Sequence, residues 1–330
     1  MTAENEFFGS EDLRPPTGGP PSGPDPDESQ AVNRSTMPRP GLPALLRAGL
    51  RGLRRYPGLA ATLYLVQVAL SAGAALVAMM MLVAAFGERP LFDRAMDGDL
   101  AALIACFRGE PGLALGLFWI AASAVLLYSV VSWFLTAGLV AVFLDVPSRR
   151  REVARWFGSA GASNFFPFVR LALWSALPCA VVLGVAGVGF VWVRDRVDNA
   201  LTMRGWLEAL AIGLSPGLLL HWIVSTAIDY ARIDLVRHPG LSSLRALMRG
   251  FRLVARHRLA LVHTLLYGVV FIGVTALYDW MTVGGAMSLL GLVVVRQISS
   301  LVRFAAHFGL IAGQVELGCT TMGTPLARRR

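Results

Sequence analysis

The sequence predicts an all-α, polytopic membrane protein with six transmembrane helices. Three observations carry that expectation. Apolar residues make up 55% of the 330 and charged residues only 15%, too little polar character for a water-exposed surface of that size. Six apolar stretches each reach or exceed the roughly 20 residues needed to cross a bilayer. Arginines mark alternate connections between them, as alternating crossings require.

Residues 1–40 carry no apolar periodicity. They hold a Pro/Gly run (PPTGGPPSGPDPDES) and seven acids against the single Arg14 up to residue 33, and are expected to form a disordered acidic tail. The membrane domain follows over 41–318, and 319–330 is a short basic tail. The spans fall at about 58–86, 111–144, 165–193, 206–228, 259–280 and 283–317, the second and sixth longer than a crossing needs. No secretory signal peptide is expected, since the first apolar stretch starts only near residue 58.

Orientation comes from the connections. Arg47, Arg51, Arg54 and Arg55 precede the first span, and Arg149, Arg150, Arg151 and Arg155 follow the second. Arg232, Arg237, Arg245, Arg249, Arg252, Arg256 and Arg258 lie around the connection after the fourth, and the chain ends Arg328-Arg329-Arg330. The other three connections are less basic. The positive-inside rule then expects both termini in the cytoplasm of a bacterial inner membrane.

A repeat lies within the basic connections. Residues 46–54 read LRAGLRGLR and 244–252 read LRALMRGFR, identical at six of nine positions. The arginines recur at i, i+4 and i+7, one face of a helix. Leu46, Leu50 and Leu53, like Leu244, Met248 and Phe251, fall on a neighbouring face. The pattern predicts two short basic amphipathic helices at the cytoplasmic interface, each before an odd-numbered span. The segment SRRREVARWFGSA before the third span reads as a looser third copy. Arg47, Arg51, Arg54, Arg245, Arg249, Arg252 and Arg256 are candidate contacts for anionic lipid.

The sixth span holds the least expected chemistry for a membrane helix. If it enters near Gly284, Arg296 lies about 18 Å along the axis, near the bilayer centre. Ser299, Arg303, His307 and Gln314 recur on the same side, so this polar stripe should face the interior or a wet cavity. Two readings stand side by side. The stripe is a structural network in which Arg296 or Arg303 pairs with Asp145, Asp229 or Glu316, or it lines a site for an anionic group such as a lipid phosphate. Gly112/Gly116, Gly309/Gly313 and the Gly184, Gly187, Gly189 cluster suit close helix approach. Pro178 and Pro216 are expected to kink their spans. Trp133 and Tyr128 fit an interior position better than an interfacial one.

Several activities lack their residues. All thirty basic residues are arginine, so chemistry that needs a lysine amine is excluded. Cys106, Cys179 and Cys319 are scattered, the five histidines show no ligand spacing, and HExxH and GxSxG are absent. No catalytic residue, metal or cofactor is therefore expected, and nucleic acid is a poorer partner than the membrane surface.

The run DYARI (Asp229–Ile233) followed by LRALMRGFRLVARH, with Gln297, Arg303 and Gln314 further on, resembles a group of uncharacterised bacterial six-helix membrane proteins. These are broadly similar to the membrane domain attached to some glycerophosphodiester phosphodiesterases. The similarity covers roughly residues 42–318 and implies a six-helix fold; the soluble phosphodiesterase domain has no counterpart. The expected function is that of a non-catalytic inner-membrane protein organising lipid or a partner at the cytoplasmic face; the sequence does not decide between a protein partner and a homo-oligomer. The alternative is a transporter or lipid-handling protein with an Arg-lined intramembrane site.

Overall fold

The computed structural model describes residues 40–86, 105, 111–145, 150–197, 202–283 and 289–321. The expected acidic tail, nearly all of the basic C-terminal tail and the 87–110 connection apart from Ala105 lie outside the described residues. So do Cys106, Arg149 and Gly284.

Within 40–330 the described secondary structure is helical. The elements are α1 (Leu42–Arg55), α2 (Pro57–Phe86), α3 (Pro111–Asp145) and α4 (Arg150–Val197). They continue with α5 (Met203–Arg237), α6 (Ser243–Arg256), α7 (Arg258–Val283) and α8 (Leu289–Thr321). Six of them, α2, α3, α4, α5, α7 and α8, are long and apolar enough to cross a membrane. The chain is a multi-pass membrane protein.

Local chemistry explains the boundaries. Pro57 disfavours helical geometry in the residue before it, so α1 stops at Arg55 and α2 begins after one non-helical residue, Tyr56. A single residue, His257, likewise separates α6 from α7, and each break residue donates its N–H back to a carbonyl four residues earlier. Ser242 caps α6 and Thr202 caps α5, each accepting a backbone N–H with its side chain. Gly240 turns the chain between α5 and α6 at φ +94°, a region open to glycine at little cost.

The third basic segment departs from its expectation. α4 runs unbroken from Arg150 to Val197, so 150–160 is the first turns of a spanning helix rather than a separate surface helix. No proline stands at that junction, and Pro167 and Pro178 lie inside α4 without ending it. In α5, Pro216 leaves the Ile212 carbonyl without its helical donor, and the Ser215 hydroxyl supplies one at 3.2 Å. The fourth span also extends nine residues beyond its expected end, and 284–288, where the sixth span is expected to begin, lie outside the described residues.

Packing is concentrated at the end of the bundle that carries α1 and α6. The main core joins Leu45 of α1, Tyr56, Leu63 of α2, Val140 and Phe143 of α3, and Tyr230 and Ile233 of α5. Val254 of α6, Ala260 of α7, and Phe308 and Val315 of α8 complete it. Away from that end the spans present apolar side chains outward, including Leu76 and Met80 of α2, Leu183 of α4 and Ile272 of α7. That distribution suits a lipid solvent, which gives helices no hydrophobic reason to bury such residues.

Candidate functional site

α1 and α6 each have three faces rather than two. The buried face is made of small and apolar residues: Leu45, Ala48, Gly49 and Gly52 in α1, and Ala246, Leu247, Gly250, Leu253 and Val254 in α6. The arginines Arg47, Arg51, Arg54, Arg245, Arg249, Arg252 and Arg256 are all exposed. Between these faces runs the repeated apolar stripe, which protein covers only in part: Leu53 and Phe251 pack against the core, whereas Leu50, Leu244 and Met248 are exposed. Leu50 is 58% exposed and Met248 61%. Each helix is thus fixed on one side and presents arginine beside bare apolar surface on the other.

Glycine allows the fixing. A Cβ at Gly49 would lie 2.8 Å from the Gly309 carbonyl oxygen of α8 and 2.7 Å from the Tyr267 hydroxyl of α7. One at Gly52 would sit 3.1 Å from the Ala312 Cβ. At Gly250 it would run into the Ala227 carbonyl of α5, with the Ala231 nitrogen at 3.3 Å. Gly309 and Gly313 therefore serve close approach as expected, here to α1 and α7. Gly189 meets the Gly213 carbonyl between α4 and α5, whereas Gly112, Gly184 and Gly187 face open space.

Electrostatics tie α6 down further. Asp234 of α5 is 1% exposed, with one carboxylate oxygen 2.9 Å from His238 Nδ1 and the other 3.6 Å from an Arg249 nitrogen. Ser243 at the start of α6 donates its hydroxyl to the Pro167 carbonyl of α4 at 3.0 Å. Of the seven arginines, Arg249 is thus partly structural.

The α8 stripe is not one network. Gln314 is buried and donates to an Asp229 oxygen at 3.3 Å; the other Asp229 oxygen accepts from Arg232 at 3.1 Å. Asp229 therefore serves α5 and Gln314, and not Arg296 or Arg303. Arg303 stands 11 residues before Gln314, about 16 Å along the helix. Its guanidinium lies 5.3 Å from the centre of the Phe271 ring of α7. Arg296 is exposed rather than enclosed in the bundle. Ser299 is buried, with no partner for its hydroxyl among the described residues. Among the described residues Asp145 and Glu316 enter no ion pair.

His307 lies within electrostatic reach of Asp229 and Arg232, yet its side chain is exposed, so it faces open space. It lines a half-enclosed cleft of about 60 Å³ between α2, α3 and α8, together with Gln67, Tyr128, Ser132 and Thr136. Next to it, the Tyr64 hydroxyl donates to Gln297 Oε1 at 2.9 Å, joining α2 to α8. Tyr128 was expected inside and is 45% exposed at the cleft, whereas Trp133 packs against a second core group as expected.

Sequence reasoning missed the cleft because Gln67, Ser132 and Thr136 are isolated polar residues on two other spans. The i, i+4 spacing of Ser132 and Thr136 was the available signal. No protein-family model, curated protein or solved structure matches the chain.

Proposed function

We propose that this protein is a non-catalytic component of a bacterial inner membrane that gathers anionic phospholipid at its cytoplasmic face. The observation that carries the reading is the three-faced build of α1 and α6. Their buried faces are locked to the bundle, which leaves the arginines beside the exposed apolar residues Leu50, Leu244 and Met248. That combination suits the head-group boundary, where apolar side chains enter the acyl region and cations meet phosphates. The positive-inside rule supports placing this end in the cytoplasm.

An arginine near an anionic surface contributes about 1 kcal/mol, so three exposed arginines on one helix suffice for marked enrichment. The test uses the full chain in nanodiscs of mixed zwitterionic and anionic lipid, with retained lipids read by native mass spectrometry. The wild type should retain anionic lipid preferentially. Replacing Arg47, Arg51 and Arg54 by Gln, or Arg245, Arg252 and Arg256 by Gln, should reduce that preference several-fold, and the preference should weaken with salt. Equal retention by all three proteins would overturn the reading.

A further inference from the structure

Where α4 and α5 run side by side, away from α6, they enclose a groove of about 570 Å³. Val181, Val188 and Trp192 of α4 form one wall, and Ile212 and Pro216 of α5 the other. Its floor is the crossing of the two helices, where a Cβ on Gly189 would run into the Gly213 carbonyl. Gly184 lines it too, and nothing lies within 4 Å of a Cβ placed there. The missing side chain at that position keeps the groove open.

Water does not suit this space. A buried water needs two to four polar partners, and the lining side chains offer only the Trp192 indole N–H. The Ile212 carbonyl released by Pro216 is already taken by the Ser215 hydroxyl. The occupant is therefore hydrocarbon, and dimensions decide its kind. The apolar run of α4 lies between Arg170 and Arg194, so Val181 sits near its middle. From Val181 to Trp192 is about 16 Å of helix, the depth of one leaflet in a hydrocarbon core of about 30 Å. Spread over that length, the volume gives a mean cross-section of about 35 Å², whereas a helix 10–12 Å across with its side chains needs about 80–110 Å². An extended acyl chain fits, and a helix of a second copy does not. The mouth of the groove is basic. Arg196 holds its guanidinium 5.3 Å from the centre of the Trp192 ring and enters no ion pair among the described residues. Tryptophan favours the level of the head groups, and a guanidinium there can donate charge-assisted hydrogen bonds to a phosphate.

We propose that this groove binds one acyl chain of a phospholipid in the leaflet opposite α1 and α6, with Arg196 on the lipid phosphate. The chain lies between Val188 and Ile212 and ends near Val181. This site is separate from the basic helices and does not depend on their preference for anionic lipid.

The test uses the full chain in detergent micelles with a phosphatidylglycerol that carries a diazirine in one acyl chain, and maps the photolabelled residues by mass spectrometry. Leu183 and Phe190, exposed on α4 outside the groove, report incidental contact. Val181 and Val188 should be labelled several-fold more than these two, and the excess should persist as the lipid is diluted with detergent. Gly184→Leu fills the groove and should bring its labelling down to the Leu183 level. Gly187→Leu, equally unobstructed but outside the groove, should leave it unchanged. Should Gly184→Leu not fold, Val188→Phe fills the groove from an exposed position, with Val181 as the reporter. Arg196→Gln should lower the excess several-fold. Equal labelling inside and outside the groove, an excess that survives its filling, or one indifferent to Arg196→Gln would overturn the proposal. So would groove labelling that disappears in a dimeric fraction, which would assign the groove to a second copy.

Discussion

Replacing Gly250 by Ala tests the fixing of α6 at a single atom. The added methyl would enter the space of the Ala227 carbonyl and lie 3.2 Å from its carbon and 3.3 Å from the Ala231 nitrogen. These are backbone atoms inside α5, so no side-chain rotation relieves the contact and the two helices must separate. Overpacking of this kind costs about 1–3 kcal/mol, offset by the roughly 1 kcal/mol that alanine gains over glycine in a helix. A net loss of up to about 2 kcal/mol is expected. Gly268→Ala on α7 is the control, because nothing lies within 4 Å of its added methyl; it should be neutral or gain up to about 1 kcal/mol. Both are read by reversible SDS titration in mixed micelles, with helicity followed by circular dichroism. Should Gly250→Ala prove as stable as Gly268→Ala, the close α5–α6 approach is not present in the folded protein and the reasoning fails.

Three further outcomes follow from the same packing. Asp234→Ala leaves His238 and Arg249 without their carboxylate and should lower stability by about 1–3 kcal/mol; in SDS titration, a loss indistinguishable from zero would show that this carboxylate does not hold α6. Gln314→Leu removes the contact from α8 to Asp229 and should cost about 0.6 kcal/mol, the usual size for such bonds in membranes. A double-mutant cycle with Asp229→Asn checks that the two are coupled. Gly189→Ala should separate α4 from α5 as Gly250→Ala separates α5 from α6, with Gly187→Ala as its unobstructed control; equal stabilities would argue against that contact.

The spans were legible because crossing a bilayer demands apolar length, a property carried by each stretch alone. The repeat was legible for a related reason: arginines at i, i+4 and i+7 can only share a face. The side on which those helices are held was not. The pattern assigns Leu46, Leu50 and Leu53 to the apolar face, yet the buried residues are Leu45, Ala48, Gly49 and Gly52, with glycine where the α8 backbone comes closest. The extent of α4 was hidden as well, since a basic aromatic segment reads alike whether it lies along the interface or continues into a span. The cleft depends on which spans become neighbours, and Gln67, Ser132 and Thr136 each look incidental within their own helix.

The most direct test of the membrane-surface account measures the depth of α1 and α6. Spin labels at Leu50→Cys and Met248→Cys, with Ile272→Cys as a lipid-facing reference and the wild type for background, are examined in oriented proteoliposomes. Accessibility to oxygen and to a water-soluble nickel relaxer is recorded. Both surface-helix labels should report head-group depth on the same leaflet, with the Ile272 label deeper. Full exposure of Leu50 and Met248 to water, or their placement on opposite leaflets, would contradict the account.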